Sequence, residues 1–365
     1  MPALKAPHPH ASAAGAARDR QLILPVQYLR GIAAMMVVWH HATAQVPAVA
    51  ALFPSAFGTS GVDLFFVISG FIMVVTTHGS AMTPWQFLKR RMVRVITPYW
   101  ILTLLMIALA LAAPGLFKTL QLSGATVVQS LLFIPHYSLA FPQQAWPVLV
   151  PGWTLNFEMF FYALFALSMG LRPAWRVGGL ALAIGALVTA GAVFGPFRSA
   201  IAVTYTSPLL LEFGAGALIG RWWSADKRAL PLGLSLACLA VGAMLLVLRD
   251  TAPFGTFNPF FGATLLVIGA VDRRAGHLHW PVLQTLGDAS YAIYLTHLFT
   301  LGILRTAWGK LGPETTSLTI SSCFMALALV ACALAGCVAY RLGEKPLLER
   351  LVKLRRADST PVTTR

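Results

Sequence analysis

Apolar runs long enough to cross a lipid bilayer recur along this chain from about residue 26 to about residue 342. A hydrocarbon core of ~30 Å needs roughly 18 or more consecutive, mostly apolar helical residues. Inside that core every backbone N–H and C=O must find its partner without water, so repeated runs of this kind restrict the fold to a bundle of membrane helices. Of the 365 residues, 57% are hydrophobic and 11% charged, against roughly 25% charged in soluble domains. That balance leaves no room for a separate soluble domain, and the fold class expected is an all-α, polytopic membrane protein.

Eleven runs qualify, near 26–46, 60–78, 95–113, 125–141, 152–171, 176–194, 206–223, 230–248, 258–272, 284–306 and 317–342. The fourth is broken by Pro135, His136 and Pro142, and proline interrupts a helix by removing a donor and clashing with the preceding turn. Charge arbitrates. If 125–141 does not cross, 21 of the 27 Lys and Arg residues fall on one side, five on the other, and Arg30 lies within the first span. If it does cross, the later basic loops face away from Lys89, Arg90, Arg91 and Arg94, against the positive-inside rule. The expectation is therefore ten transmembrane helices with a short re-entrant or interfacial segment near 125–141. The transmembrane domain covers 25–345, between a disordered cytoplasmic tail at 1–24 and a basic cytoplasmic tail at 346–365. Both termini then face the cytoplasm of a bacterial inner membrane.

The net charge of +15 is explained by these loops and tails, so nucleic acid is not an expected partner. Cys238, Cys323, Cys332 and Cys337 lie in apolar spans without a Cys-x-x-Cys pair and read as packing residues. The first 24 residues lack the continuous apolar stretch of a signal peptide.

Polar groups inside a membrane are costly and tend to face a cavity or one another. In YLRGIAAMMVVWHH, Arg30 and His41 are eleven residues apart, about three turns and roughly 16 Å of rise, on one helical face; His40 lies roughly 80° away. Ala34 and Val37 between them are small enough to leave room for a thin ligand chain. Asp63, in GVDLFFVISGFIM, and Glu158, in PGWTLNFEMFFY, begin helices that enter from the side where His41 ends. Ser290, Tyr294 and His297 form one stripe at i, i+4 and i+7. His41, Asp63, Glu158 and His297 are thus expected at similar depth, above Arg30. A histidine beside a carboxylate is a general base near neutral pH, which casts His41 as catalytic with Glu158 or Asp63 orienting it. Ser290 and Tyr294 are candidates for oxyanion contacts, and His297 for an acceptor contact. No metal site is expected, since no His-x-x-His or His-Glu-x-x-His pattern occurs.

FLKRRMVRVITPYW gathers Lys89, Arg90, Arg91 and Arg94 without an acid. Such a cluster serves topology or anionic membrane lipid at about 1 kcal/mol per charge, and it also suits a phosphate-rich ligand. Arg91 and Arg94, at i and i+3, present guanidinium forks on one side of a helix. Coenzyme A, with three phosphates and a thin pantetheine arm, fits a basic mouth below a narrow channel, with Arg30 along the way.

These pieces together resemble the membrane-bound acyltransferase 3 family, and most closely its exopolysaccharide-acetylating members. The resemblance rests on QYLRGIAAMMVVWHH, GVDLFFVISGFIM, FLKRRMVRVITPYW, SLLFIPHY, PGWTLNFEMFFYALFAL, SYAIYLTHLF and YRLGEKPL, in that order over about residues 24–350. It implies ten membrane helices, with no permanently bound cofactor and acyl-CoA, in these members acetyl-CoA, as cytoplasmic co-substrate. It also implies O-acylation of a carbohydrate acceptor, in contact with polysaccharide synthesis or export machinery. His41 is then the catalytic histidine, Glu158 a supporting carboxylate, and Arg91 with Arg94 part of the donor site. The extracytoplasmic hydrolase-like domain of some members is not expected here. Direct transfer and an acyl-histidine intermediate are both open to this chemistry. The rival readings are a transporter of a sugar or lipid-linked precursor, which would favour a duplicated half that the sequence does not show, and a structural or sensory subunit of an export complex.

Overall fold

The computed structural model describes residues 24–50, 55–113, 115, 119–225, 230–249, 253–271, 279–311, 317–347 and 349–350. Most of both expected tails lies outside the described residues, as do Lys118, Lys227, Arg228, Arg273 and Arg274 of the charge count. Among the described residues the chain is entirely helical, without strands. Thirteen helices frame the site: α1 (Leu24–Thr43), α2 (Ser60–Thr77), α3 (Pro84–Ala112), α4 (Gly124–Leu131), α5 (Trp153–Ser168), α6 (Arg176–Phe194), α7 (Ala200–Tyr205), α8 (Leu210–Ala225), α9 (Leu232–Val247), α10 (Asn258–Ala270), α11 (Pro281–Asp288), α12 (Ser290–Leu311) and α13 (Leu318–Ala339).

Among the described residues, five helical stretches are long and apolar enough to cross a membrane: Phe57–Thr77, Pro84–Ala112, Arg176–Phe194, Ala200–Ala225 and Leu318–Leu347. Leu232–Val247 and Gly255–Ala270 are shorter apolar helices. α1 is 20 residues long but carries Gln27, Arg30, His40 and His41, and α5 has 16 residues. Of the helices outside these stretches, α1, α5 and α12 carry polar residues singled out by sequence, whereas Asp63 and the basic run of α3 lie on qualifying stretches. Leucine and valine side chains stand exposed around the bundle, among them Leu111, Leu182, Leu234 and Leu334, as expected of a surface solvated by lipid.

The segment 125–141 is not a span. α4 has eight residues, about 12 Å of rise, and ends at Leu131, two residues before Phe133, whose φ is +57°. The stretch 132–149 then runs without regular helix into a short 3-10 turn at Val150–Gly152. The last carbonyls of α4 are met from α3: Tyr99 donates to Ser130 O at 3.2 Å and Trp100 Nε1 to Leu131 O at 2.8 Å. Another departure lies at the ninth span, expected as one helix over 284–306. It is divided at Ala289 into α11 and α12.

Tight backbone approaches lock α1, α2 and α8 together. A Cβ on Gly216 would sit 1.9 Å from the Val67 carbonyl oxygen, and one on Gly61 would sit 2.3 Å from that of Ala33. Small residues at such crossings let helices associate where lipid offers no hydrophobic driving force. The Ala34 face of α1 belongs to the packing as well. Ala34, Val38 and Ala42 are fully buried in an apolar cluster with Ile293, Phe324 and Ala328. The thin passage expected beside Ala34 is therefore filled, and only Val37 of that pair borders a cavity.

Candidate active site

Two chambers lie back to back inside the bundle. The first, the arginine cavity, encloses about 100 Å³ and brings Arg30 of α1 together with Arg91 and Arg94 of α3. α3 begins with Pro84 after an N-cap at Thr83, whose side chain accepts from Gln86 N while Gln86 answers Thr83 N. This capping box fixes where the helix starts, and so which face Arg91 and Arg94 share. Arg91 donates from Nη2 to Thr76 Oγ1 at 3.1 Å, with its guanidinium 5.9 Å from the centre of the Phe87 ring. Arg30 Nη1 donates to Gln27 Oε1 at 3.0 Å. Lys89 and Arg90, from the same basic run, are exposed and do not line this cavity.

Glu158 also lines the arginine cavity and not the chamber of His41. Its Oε1 accepts from Ser69 Oγ at 3.0 Å and from the Tyr162 hydroxyl. The expectation of Glu158 level with His41 assumed that α5 starts at the membrane surface. Instead the segment before it is folded inward, with Val148, Leu149, Pro151 and Gly152 buried, so the first turns of α5 begin within the bundle. Ser290 lines the same cavity, fully buried, with no partner for its Oγ.

The second chamber, the histidine pocket, has two lobes of about 320 and 290 Å³ that share His41, Trp146 and Val150. One lobe extends toward Gln121, His136 and Ser138, and the other toward His40, Asp63, Gln144, Arg249 and His297. His41 Nδ1 lies 2.9 Å from the Val37 carbonyl oxygen and 3.3 Å from His297 Nε2. His297 Nδ1 lies 2.6 Å from the Tyr294 carbonyl oxygen. The partner expected for His41 was a carboxylate; the structure supplies a second imidazole instead. Asp63 faces the other way, its Oδ2 accepting from Arg249 Nη1 at 2.5 Å, while Arg249 also donates to Ser60 Oγ at 3.0 Å. Glu212, 3% exposed, sets its carboxyl against that of Asp63.

Val62 and Tyr294 line both chambers and form the partition between them. The Tyr294 hydroxyl is held by Thr154 Oγ1 at 2.9 Å and the Pro151 carbonyl at 3.0 Å, so its proton is already engaged and does not point at a developing oxyanion. The stripe Ser290, Tyr294, His297 is thus spread along the depth of the site: arginine cavity, partition, histidine pocket. Over these seven residues the helix rises about 10 Å, too far for Ser290 and His297 to serve one reacting carbonyl.

Sequence reasoning did not single out Glu212, Arg249, Thr154 or Trp146. Glu212 is an acid within the apolar run 206–223, a signal that intramembrane ionisable residues always give. Arg249 was counted only as a loop cation. Trp146 and Thr154 carry no local signal, since their position depends on the irregular 132–149 segment.

The family model for an acyltransferase domain, that of acyltransferase 3, matches residues 25–339. Exopolysaccharide production protein ExoZ of Rhizobium meliloti is 41% identical over 304 residues, covering 80% of this chain and 90% of its own. Acyltransferase MdmB of Streptomyces mycarofaciens is 27% identical, over 83% of this chain and 84% of its own. Nodulation protein 10 of Rhizobium leguminosarum bv. viciae is 25% identical, over 69% and 74%. No solved structure matches. With the family model covering the helices that carry both chambers, the chain belongs to the acyltransferase 3 family.

Proposed function

We propose that this protein is a membrane-embedded O-acyltransferase that moves an acetyl group from cytoplasmic acetyl-CoA to a hydroxyl of an exopolysaccharide or its lipid-linked precursor. The observation that carries this reading is the shared wall. A cavity with three guanidiniums and a pocket lined by four imidazoles, those of His40, His41, His136 and His297, share Val62 and Tyr294 as a common wall. Family membership supplies acyl transfer, and the R. meliloti relative's role in exopolysaccharide production supplies the class of acceptor. In this reading the ten helices of 13 residues or more among the described residues, α1 to α3, α5, α6, α8 to α10, α12 and α13, all cross the inner membrane, with both termini cytoplasmic.

The arginine cavity, the smaller of the two chambers, takes the thin pantetheine arm, and the nucleotide stays at the mouth. There Arg91 and Arg94 contact its phosphates, with Lys89 and Arg90 adding attraction from the exposed run. Arg30, Glu158 and the unpaired Ser290 hydroxyl meet the amides of the arm. The thioester passes Val62 and Tyr294 to reach His41. His41 takes the proton of the acceptor hydroxyl as its oxygen attacks the thioester carbonyl; the carbon–sulfur bond breaks and the thiolate takes the proton back, leaving ester and free CoA. General-base assistance of this kind is worth roughly 10²–10⁴-fold.

The test is the ester-linked acetyl content of surface polysaccharide, by mass spectrometry, in a deletion strain carrying wild type or His41→Ala. Acetyl restored by wild type alone supports the reading. Equal acetyl in the deletion and complemented strains, together with no acetyl-CoA turnover by purified protein, overturns it in favour of a transporter or a structural subunit.

A further inference from the structure

Two carbonyl oxygens determine where the protons of the histidine pair reside. A backbone carbonyl only accepts, so a ring nitrogen in hydrogen-bond contact with one must carry hydrogen. His41 Nδ1 contacts Val37 O at 2.9 Å and His297 Nδ1 contacts Tyr294 O at 2.6 Å. Both rings, when neutral, are therefore protonated at Nδ1 and bare at Nε2. The reverse arrangement, His297 donating from Nε2, would make His297 doubly protonated and turn the His41 Nδ1 lone pair toward the Val37 oxygen.

The remaining short contact then has a direction. His297 Nε2, bare and 3.3 Å from His41 Nδ1, accepts a share of the same N–H that Val37 accepts. His297 is fully buried, its carbonyl also accepting from Cys332 Sγ at 3.8 Å. Among the described residues no protein group bonds His41 Nε2, and the His41 ring borders both lobes of the pocket. The groups facing the pair are His40, with its ring 5.0 Å from that of His41, the Tyr294 ring 5.9 Å from that of His297, and Asp63 with Arg249 across the same lobe.

We infer that His297 is a positioning residue that stays neutral, holds His41 Nδ1–H through its own Nε2, and leaves His41 Nε2 as the single nitrogen that accepts the acceptor's proton. This rests on the acyl-transfer reading above and goes beyond it. When His41 Nε2 gains the proton, the ring becomes a cation whose Nδ1–H is shared by two neutral acceptors, a carbonyl and an imidazole. Hydrogen bonds from a charged donor are stronger than those from a neutral one, so the contact to His297 tightens as charge develops. A neutral acceptor replaces the carboxylate of a Ser-His-Asp arrangement, without a second full charge in the bilayer.

The experiment compares His297→Phe, which fills the space and offers no acceptor, with His297→Gln, whose amide oxygen can occupy the Nε2 position. Proteins matched in melting temperature are assayed for kcat and for the acetyl-CoA KM. In parallel, ¹⁵N-histidine spectra are assigned by loss of signal in His41→Gln and His297→Gln. Expected are a kcat for His297→Phe lower by ~10²-fold with KM unchanged, recovery in His297→Gln to within about tenfold of wild type, and a bare Nε2 on both rings of the wild type. Equal activity of His297→Phe and wild type overturns the inference, as do equal defects in Phe and Gln or a protonated His297 Nε2. If wild type turns over no acetyl-CoA while both rings show the bare Nε2, the acyl-transfer reading fails and the proton assignment stands.

Discussion

The arginine cavity holds about 100 Å³ among three guanidiniums and a carboxylate, whereas each lobe of the histidine pocket holds 290–320 Å³ around imidazoles and aromatic rings. The cavity is built by regular helices: Arg30, Arg91, Arg94, Glu158 and Ser290 all project from α1, α3, α5 and α12. The pocket takes over a third of its wall from the irregular stretch 132–149 and from the turn that follows. Regular helices packed at close crossings make a narrow, fixed slot, and a folded-in segment makes a roomy one. A thin donor arm on one side and a bulky sugar on the other match that division. Changes in the pocket should therefore act on turnover, and changes in the cavity on donor affinity.

The largest effect expected is that of His41→Ala: turnover falls by ~10²–10⁴-fold while acetyl-CoA binding, measured by calorimetry on the detergent-solubilised protein, is unchanged. Equal loss of binding and turnover would erase the division between the chambers. Next is the wall itself. Val62 is 8% exposed and lines both sides, so Val62→Trp should obstruct the thioester and lower turnover by about 10²-fold, the size of a misplaced reacting group. Val62→Ala, which widens the wall, should retain activity. If both variants behave alike, the route past Val62 and Tyr294 is wrong.

How far the sequence carried this comparison differs between its halves. Arg91 and Arg94 share one side of α3, as expected from their i and i+3 spacing, because helical periodicity is a local property and the capping box at Thr83 sets the phase of α3; that Arg30 lines the same cavity is set by the tertiary arrangement. His41 and Arg30 lie at different depths, as expected from about 16 Å of helix between them, but in two chambers and not along the one passage expected beside Ala34. Glu158 lies in the other chamber, and Asp63, which does share the lobe of His41 and His297, pairs with Arg249 and not with His41, for reasons that no local pattern contains. Glu158 descended because 147–152 folds inward, and Asp63 turned toward Arg249, 186 residues away in sequence. The pairing of His41 with His297 bridges 256 residues; both had been singled out, but their mutual contact depends on how α1 and α12 cross.

On the cavity side, Arg91→Ala removes charge-assisted hydrogen bonds to phosphate, worth about 1.5–3 kcal/mol each. The acetyl-CoA KM should rise by about tenfold or more with kcat near wild type, and the defect should narrow at high salt as remaining charges are screened. Lys89→Ala, at an exposed position outside the cavity, should change KM far less. Equal effects from both would mean that attraction at the mouth, and not the fork formed by Arg91 and Arg94, sets donor affinity.

The smallest effect expected is at Asp63, although it carries the ion pair nearest the histidines. Removing one partner of a buried pair commonly costs ~3–5 kcal/mol, because a charge is left alone. Here two acids, Asp63 and Glu212, face one guanidinium, that of Arg249. Asp63→Asn leaves Glu212 to balance Arg249, and the Arg249 side chain is 23% exposed, so solvent moderates the remainder. The melting temperature of Asp63→Asn should therefore fall by the equivalent of about 1 kcal/mol or less, with transfer within a few-fold of wild type. Adding Glu212→Gln strands the guanidinium, and the double variant should lose more stability than the two single variants together. If Asp63→Asn alone abolished transfer in a normally stable protein, Asp63 would act on the reacting groups directly, and the division between a histidine pair that does the chemistry and an ion pair that holds the helices would fall.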